Sequence, residues 1–171
     1  VDDIRWTYKD LNEMSTNLAK AFLDVGFKPG DTVGVWGPNH PEWILSEYAL
    51  AKAGLRIVTL NPLYKDQEII FALNTVSAVA ILHAEIIGEI KCLDVINKIK
   101  NEIPSLKHNY SFDDGLKNLI KEGRCSNSLL PSVDPNDIFM IQYTSGTTGV
   151  PKAAQMTHQS LITSSKNSHV R

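Results

Sequence analysis

The sequence predicts an α/β protein: a mostly parallel sheet flanked by helices on both faces. Three observations predict it. Strand-like apolar runs and helix-period segments alternate along most of the chain, and the connections between them are short and carry turn chemistry. The length of 171 residues and a composition that is 43% hydrophobic and 21% charged suit a domain with a real core.

The elements follow in order. Thr7 is placed to cap a helix with Asp10 three residues on, the spacing of a capping box with a shorter acid. Leu11, Met14, Leu18, Phe22 and Val25 then recur at helical spacing, and Gly26 supplies the stop. "KPGD" (28–31) is a turn, and "TVGVW" (32–36) reads as a strand. "GPNHP" breaks it, and Pro41 suits the first turn of a helix over Glu42–Ala53. That helix is apolar on most sides and is expected to be largely buried. Gly54 ends it, "RIVTL" (56–60) is a strand, and "NP" closes that. A helix near Asp66–Asn74, a strand "AVAIL" (78–82), a helix across Ile86–Ile99 and a short helix near Asp113–Lys121 come next. "CSNSLLPSVDPND" (125–137) is loop by composition, and "IFMIQY" (138–143) is the last expected strand. No internal repeat or low-complexity tract interrupts this order.

Composition narrows the function classes. A net charge of −2 with scattered Lys and Arg offers no footprint for a nucleic acid or a membrane surface. No apolar run approaches the length of a membrane span. Cys92 and Cys125 form neither a CxxC pair nor a disulfide framework and read as free thiols in a reducing compartment. "VDDIRWTYKD" at the start has no initiating methionine and no signal-type apolar region, so the expectation is that the true N-terminus is missing.

Chemistry concentrates after the last strand. Six of the seven residues from Thr144 to Val150 are glycine or carry a hydroxyl, and Pro151 and Lys152 follow. A strand running into such a loop and then a helix is a way to bind phosphate. Glycines let several backbone N–H groups converge on one anion, hydroxyls add donors, and a lysine adds a point charge. "THQSLITSS" can begin the helix, with Thr157 as its cap. A mobile polar linker is the plain alternative. A P-loop is excluded, because Gly149 is followed by Val150 and Pro151 and the lysine comes too late.

The string "YTSGTTGVPKA" resembles the phosphate loop of the adenylate-forming (AMP-binding) enzymes, the superfamily of acyl-CoA synthetases, luciferases and peptide-synthetase adenylation domains. The family pattern is an aromatic residue, Thr-Ser-Gly-Thr-Thr-Gly, any residue, then Pro-Lys-Gly. "WTYKDLNEMSTNLAKAFLDVGFKPGDTV" (6–33) is similar to the family's N-terminal helix and turn, and "GVWGPNHPEWILSEYALAKAGLRIVTLNPLY" (34–64) to its next two blocks. "GVWGPN" and the setting of "IQYTSGTTG" resemble the medium-chain acyl-CoA synthetase family member 2 branch. The resemblance spans nearly the whole chain but only the N-terminal part of a family enzyme. It implies that residues 1–171 are the first part of a large AMP-binding domain, whose remainder and small lid domain lie outside this sequence.

The resemblance assigns Thr144, Ser145, Gly146, Thr147, Thr148, Gly149 and Lys152 to the phosphates of ATP, with Thr144 also toward Mg²⁺. It implies a fatty or other carboxylic acid, ATP and CoA as substrates, an intracellular setting, mitochondrial or cytoplasmic, and a role in fatty acid metabolism. It assigns no catalytic residue in this chain. The later Tyr-Gly-x-Thr-Glu motif, the ribose-binding aspartate, the hinge and the terminal lysine have no match here, so the chain alone is expected to be inactive. A degenerate family member that binds nucleotide or acts as a scaffold, a luciferase-like enzyme and a peptide-synthetase adenylation domain are the alternatives.

Two further departures stand out. The glycine after the lysine is Ala153, strained if that position needs positive φ and mild otherwise. "PSLKHNYSFD" (104–113) is short against the family, so a sheet strand there is expected to be lost or replaced. Other candidates read as structural. His158 is expected to be a hydrogen-bonding residue at a helix start, and His40 a turn residue. Trp36, Trp43 and Tyr48 read as core rather than a base-stacking platform. Asp113 and Asp114 read as a helix start rather than metal ligands. The cysteines have no visible base partner.

Overall fold

The computed structural model describes residues 5–144 and 151–168. The chain opens with α1 (Tyr8–Val25), β1 (Thr32–Trp36), α2 (Pro41–Lys52), β2 (Arg56–Leu60), α3 (Asp66–Thr75) and β3 (Ala80–His83). It continues with β4 (Ile86–Ile87), β5 (Ile90–Lys91), α4 (Cys92–Ile99), a 3₁₀ turn over Lys100–Glu102, β6 (His108–Ser111) and α5 (Asp114–Gly123). It ends with β7 (Ile138–Thr144), β8 (Lys152–Thr157) and α6 (His158–Ser168).

The six-stranded sheet has the order β6-β3-β1-β2-β7-β8. Its first five strands are parallel, and β8 runs antiparallel along β7. Helices cover both faces. Leu18 and Phe22 of α1, Leu45 and Ala49 of α2, and Leu116 and Leu119 of α5 pack with Val33, Val35 and Ile57 on one face. Ile69 and Leu73 of α3 and Ile96 and Ile99 of α4 pack with Trp36, Val58 and Ile81 on the other. The alternation of β1 explains the split: Val33 and Val35 point one way, and Gly34 and Trp36 the other. Gly34 lets α3 approach, since a Cβ there would lie 2.7 Å from Leu73 Cδ2.

The caps follow the sequence. Asp10 N–H donates to Thr7 Oγ1 at 3.1 Å and Thr7 N–H to Asp10 Oδ2 at 2.8 Å, the two halves of a capping box. Gly26 ends α1 at φ 104°. Lys52, at the end of α2, reaches across to α1 and donates from Nζ to Asn12 O and Ser15 Oγ, both at 2.8 Å.

Four expectations need correction. The helix across Ile86–Ile99 begins only at Cys92, because the β4–β5 hairpin precedes it. Gly88, at φ 61° and first in the two-residue turn, meets the demand of a tight hairpin, which periodicity cannot register. The strand expected to be lost is present, since β6 pairs with β3 from Ala80↔His108 to His83↔Ser111. The segment from Lys152 is a strand, not a loop leading straight into a helix; alanine-rich "KAAQMT" has weak intrinsic β preference and is held by its register with β7. Last, α2 is two-faced: Leu45, Ala49 and Leu50 are buried, whereas Ile44 and Tyr48 are about half exposed, so Tyr48 is not core.

Candidate functional site at the carboxyl edge of the sheet

The parallel strands end on one edge at Ser111, His83, Trp36, Leu60 and Thr144. In open α/β sheets this carboxyl edge is where ligands bind. The two ends of the Gly/Ser/Thr motif lie there. β7 leaves the edge at Thr144 and β8 returns at Lys152, and these two residues face each other as the terminal pair of the ladder. Thr144 Oγ1 donates weakly to Lys152 O at 3.5 Å, and both side chains are exposed. Of the seven residues expected on phosphate, Thr144 and Lys152 are therefore placed at the mouth of the hairpin. Ser145, Gly146, Thr147, Thr148 and Gly149 lie outside the described residues.

Tyr143 fixes the base of this hairpin. Its hydroxyl donates to Ala72 O in α3 at 2.8 Å, and its ring lies 6.2 Å from that of Phe71. Burial pushes its phenol pKa up, so the hydroxyl stays a donor. A small cleft of about 200 Å³, lined by Tyr64, Phe71, Tyr143 and Pro151, runs beneath. The aromatic position of the motif was visible in the sequence, but its anchoring role needs the packing of α3 against β7.

Ala153 pairs with Tyr143 in extended backbone. Among described residues the only non-glycine with positive φ is Ser77, so the alanine is the mild departure. The loop does not run into a helix N-terminus. β8 intervenes, and α6 starts at His158, where Ser160 N–H donates to the capping Thr157 Oγ1 at 3.1 Å.

The remaining candidates are placed elsewhere. His158 stacks on Phe139 with centroids 4.7 Å apart, beside the start of β7 and thus at the far end of that strand from Thr144. Its role is structural, through ring packing; burial lowers its pKa, partly opposed by Asp137. His40 precedes α2 with Nδ1 2.6 Å from Glu42 Oε2 and its ring stacked on Phe112, a pairing the sequence did not suggest. Asp113 and Asp114 open α5, where Asp113 pairs with Lys117 at 3.5 Å. Trp36 is buried and Trp43 partly so. Cys92 is buried, which pushes its thiol up to about 11, and Cys125 is exposed; both are free. No group of three His, Cys, Asp or Glu that could hold a metal occurs among the described residues. No helix among them is long and apolar enough to cross a membrane.

A mostly parallel α/β sheet with helices on both faces is the architecture of the N-terminal domains of adenylate-forming enzymes. The fold matches a long-chain-fatty-acid-CoA ligase from Archaeoglobus fulgidus with TM-score 0.78 at 21% identity, covering 92% of this chain and 31% of that one. The AMP-binding enzyme family matches residues 1–171, and the chain belongs to it. Among curated relatives, the acyl-CoA ligase sidI of Beauveria bassiana is 32% identical over 174 residues, covering 95% of this chain and 30% of its own. The mitochondrial medium-chain acyl-CoA ligase ACSF2 of Homo sapiens is 29% identical over 189 residues, covering 96% and 31%. The chain thus spans about three-tenths of the length of these relatives.

Proposed function

We propose that this chain is the N-terminal part of an ATP-dependent carboxylate–CoA ligase and that residues 144–152 hold the phosphates of ATP. The observation that supports the reading is the Thr144↔Lys152 pair, which sets a hydroxyl residue and a lysine opposite each other on neighbouring strands at the carboxyl edge. In this reaction a carboxylate oxygen attacks the α-phosphorus of ATP and the bond to the β-phosphate oxygen breaks, giving acyl-adenylate and pyrophosphate. The thiol of CoA then takes the acyl group and AMP leaves.

The difficulty of the first step is electrostatic. An anionic nucleophile approaches a polyanion, and a further anion must depart. Donors fixed where charge develops lower that barrier. Lys152 supplies a full charge, while Thr144, the other hydroxyls and the loop amides supply directed hydrogen bonds. The Thr144 hydroxyl is a hard oxygen donor suited to Mg²⁺, a cation bound through few protein ligands together with phosphate oxygens and water. The ion would offset phosphate charge. The residues thus fit the group, with Thr144 the contact offered among the described residues.

The mitochondrial location named for the human medium-chain relative favours the mitochondrion over the cytoplasm for the parent protein. Titration of the chain with Mg-ATP, followed by amide NMR, tests the phosphate role. Shifts at residues 144–152 that vanish in Lys152→Ala are expected. No shift at millimolar ATP would overturn it.

A further inference from the structure

The last turn of α3 has carbonyls that need partners from outside the helix. Leu73 O accepts from Ala78 N–H at 2.9 Å and Asn74 O from Ser77 N–H at 3.1 Å. Val76 N–H, four residues beyond Ala72, points to Asn74 O as well. Ala72 is buried, and its carbonyl takes the Tyr143 hydroxyl at 2.8 Å. A side chain of β7 thus completes the C-terminal turn of α3, and deleting its hydroxyl strips a buried acceptor of that bond.

The hydroxyl goes beyond what the motif asks. The motif needs only an aromatic ring before Thr-Ser-Gly, and the packing of that ring against Phe71 needs no oxygen. Its place on the strand gives it leverage. Tyr143 and its ladder partner Ala153 pack toward α3. The next pair, Thr144 and Lys152, falls on the opposite face, because successive side chains alternate across a strand. The phenol therefore acts on Lys152 through the backbone of the hairpin mouth. Pro151, beside Lys152, lines the same cleft as Phe71 and Tyr143, so both limbs of the hairpin rest against α3. We propose that the Tyr143 hydroxyl is a positioning group for Lys152: its bond to Ala72 O fixes the hairpin mouth on α3 and so sets where the ammonium meets a phosphate. The role rests on the phosphate-binding reading of residues 144–152.

Tyr143→Phe keeps the ring and removes the bond. In hydrogen exchange without ligand, the amides of residues 142–144 and 152–154 are expected to exchange severalfold faster in this variant, while those of β1 keep their rates. In Mg-ATP titrations followed by amide NMR, Tyr143→Phe is expected to bind about fivefold more weakly than the unsubstituted chain, the effect of one hydrogen bond. Thr7→Ala supplies the comparison for a purely structural loss. It removes the α1 cap, lowers stability by a similar amount, and is expected to leave Mg-ATP affinity unchanged. Exchange at the hairpin mouth that Tyr143→Phe does not alter overturns the anchor. Equal Mg-ATP affinity in Tyr143→Phe and the unsubstituted chain overturns the positioning role and leaves the phosphate reading standing. Equal weakening in Thr7→Ala overturns it too, because the effect is then general destabilisation. An unsubstituted chain that shows no shift at millimolar Mg-ATP overturns the phosphate reading, and the positioning role with it.

Discussion

Ala153 stands where the motif has glycine, and the backbone there is extended rather than left-handed. The glycine's conformational freedom is therefore not in use, and the methyl group packs at the edge of the core under α3. His83 carries the sharper prediction at this scale. It is buried at the end of β3, with Nδ1 donating to Ala84 O at 2.8 Å. Burial lowers its pKa below the ordinary 6.5, partly opposed by Ala84 O and Glu85. Below that value the unfolded chain binds the extra proton more readily, so stability is complete above about pH 6.5 and falls as the pH drops through the window beneath. Urea midpoints at neutral and mildly acid pH are expected to show this loss, and His83→Gln to flatten it. The Gly/Ser/Thr motif between Thr144 and Lys152 stood out in the sequence because its spacing is specific, and its two ends are the part the described residues place. The His40–Glu42 contact and the burial of His83 did not stand out, since both depend on what the fold stacks over them.

At the scale of elements, α1 is pinned twice. Lys52 ties it to α2, and Gly123 lets α5 cross it closely: a Cβ at Gly123 would lie 1.9 Å from Asn17 O. That neighbour is backbone and cannot rotate away, so Gly123→Ala is expected to cost about 3 kcal/mol in chemical denaturation. Helices with caps and long apolar periods were readable from sequence alone, as α1 shows with Thr7 and Gly26. Strands β4, β5 and β8 were not. The first two are two residues each, too short for a period, and β8 owes its form to pairing with β7 rather than to its own residues. β6 was legible only as a shortened segment, and its partner on β3 decided its fate.

At the scale of the molecule, the described residues offer no group of three His, Cys, Asp or Glu side chains that could hold a metal. The chain spans about three-tenths of its relatives' length. We predict that the 171 residues alone give no carboxylate-dependent pyrophosphate exchange. Measurable exchange with any of a panel of carboxylates would overturn that.

The sheet order carries a kinetic consequence. β2 ends at Leu60, yet its neighbour β7 begins at Ile138, after the chain has built β3 and β6 on the other side of β1. Pairing β2 with β7 closes a long loop, a slow step, whereas β7 and β8 are joined locally and can form as a hairpin first. During synthesis the open edge of β2 is therefore bare until residues beyond Thr157 have emerged. For that interval the nascent chain presents an unpaired strand, the state most prone to mispair with a neighbour, and docking of the β7–β8 hairpin ends it.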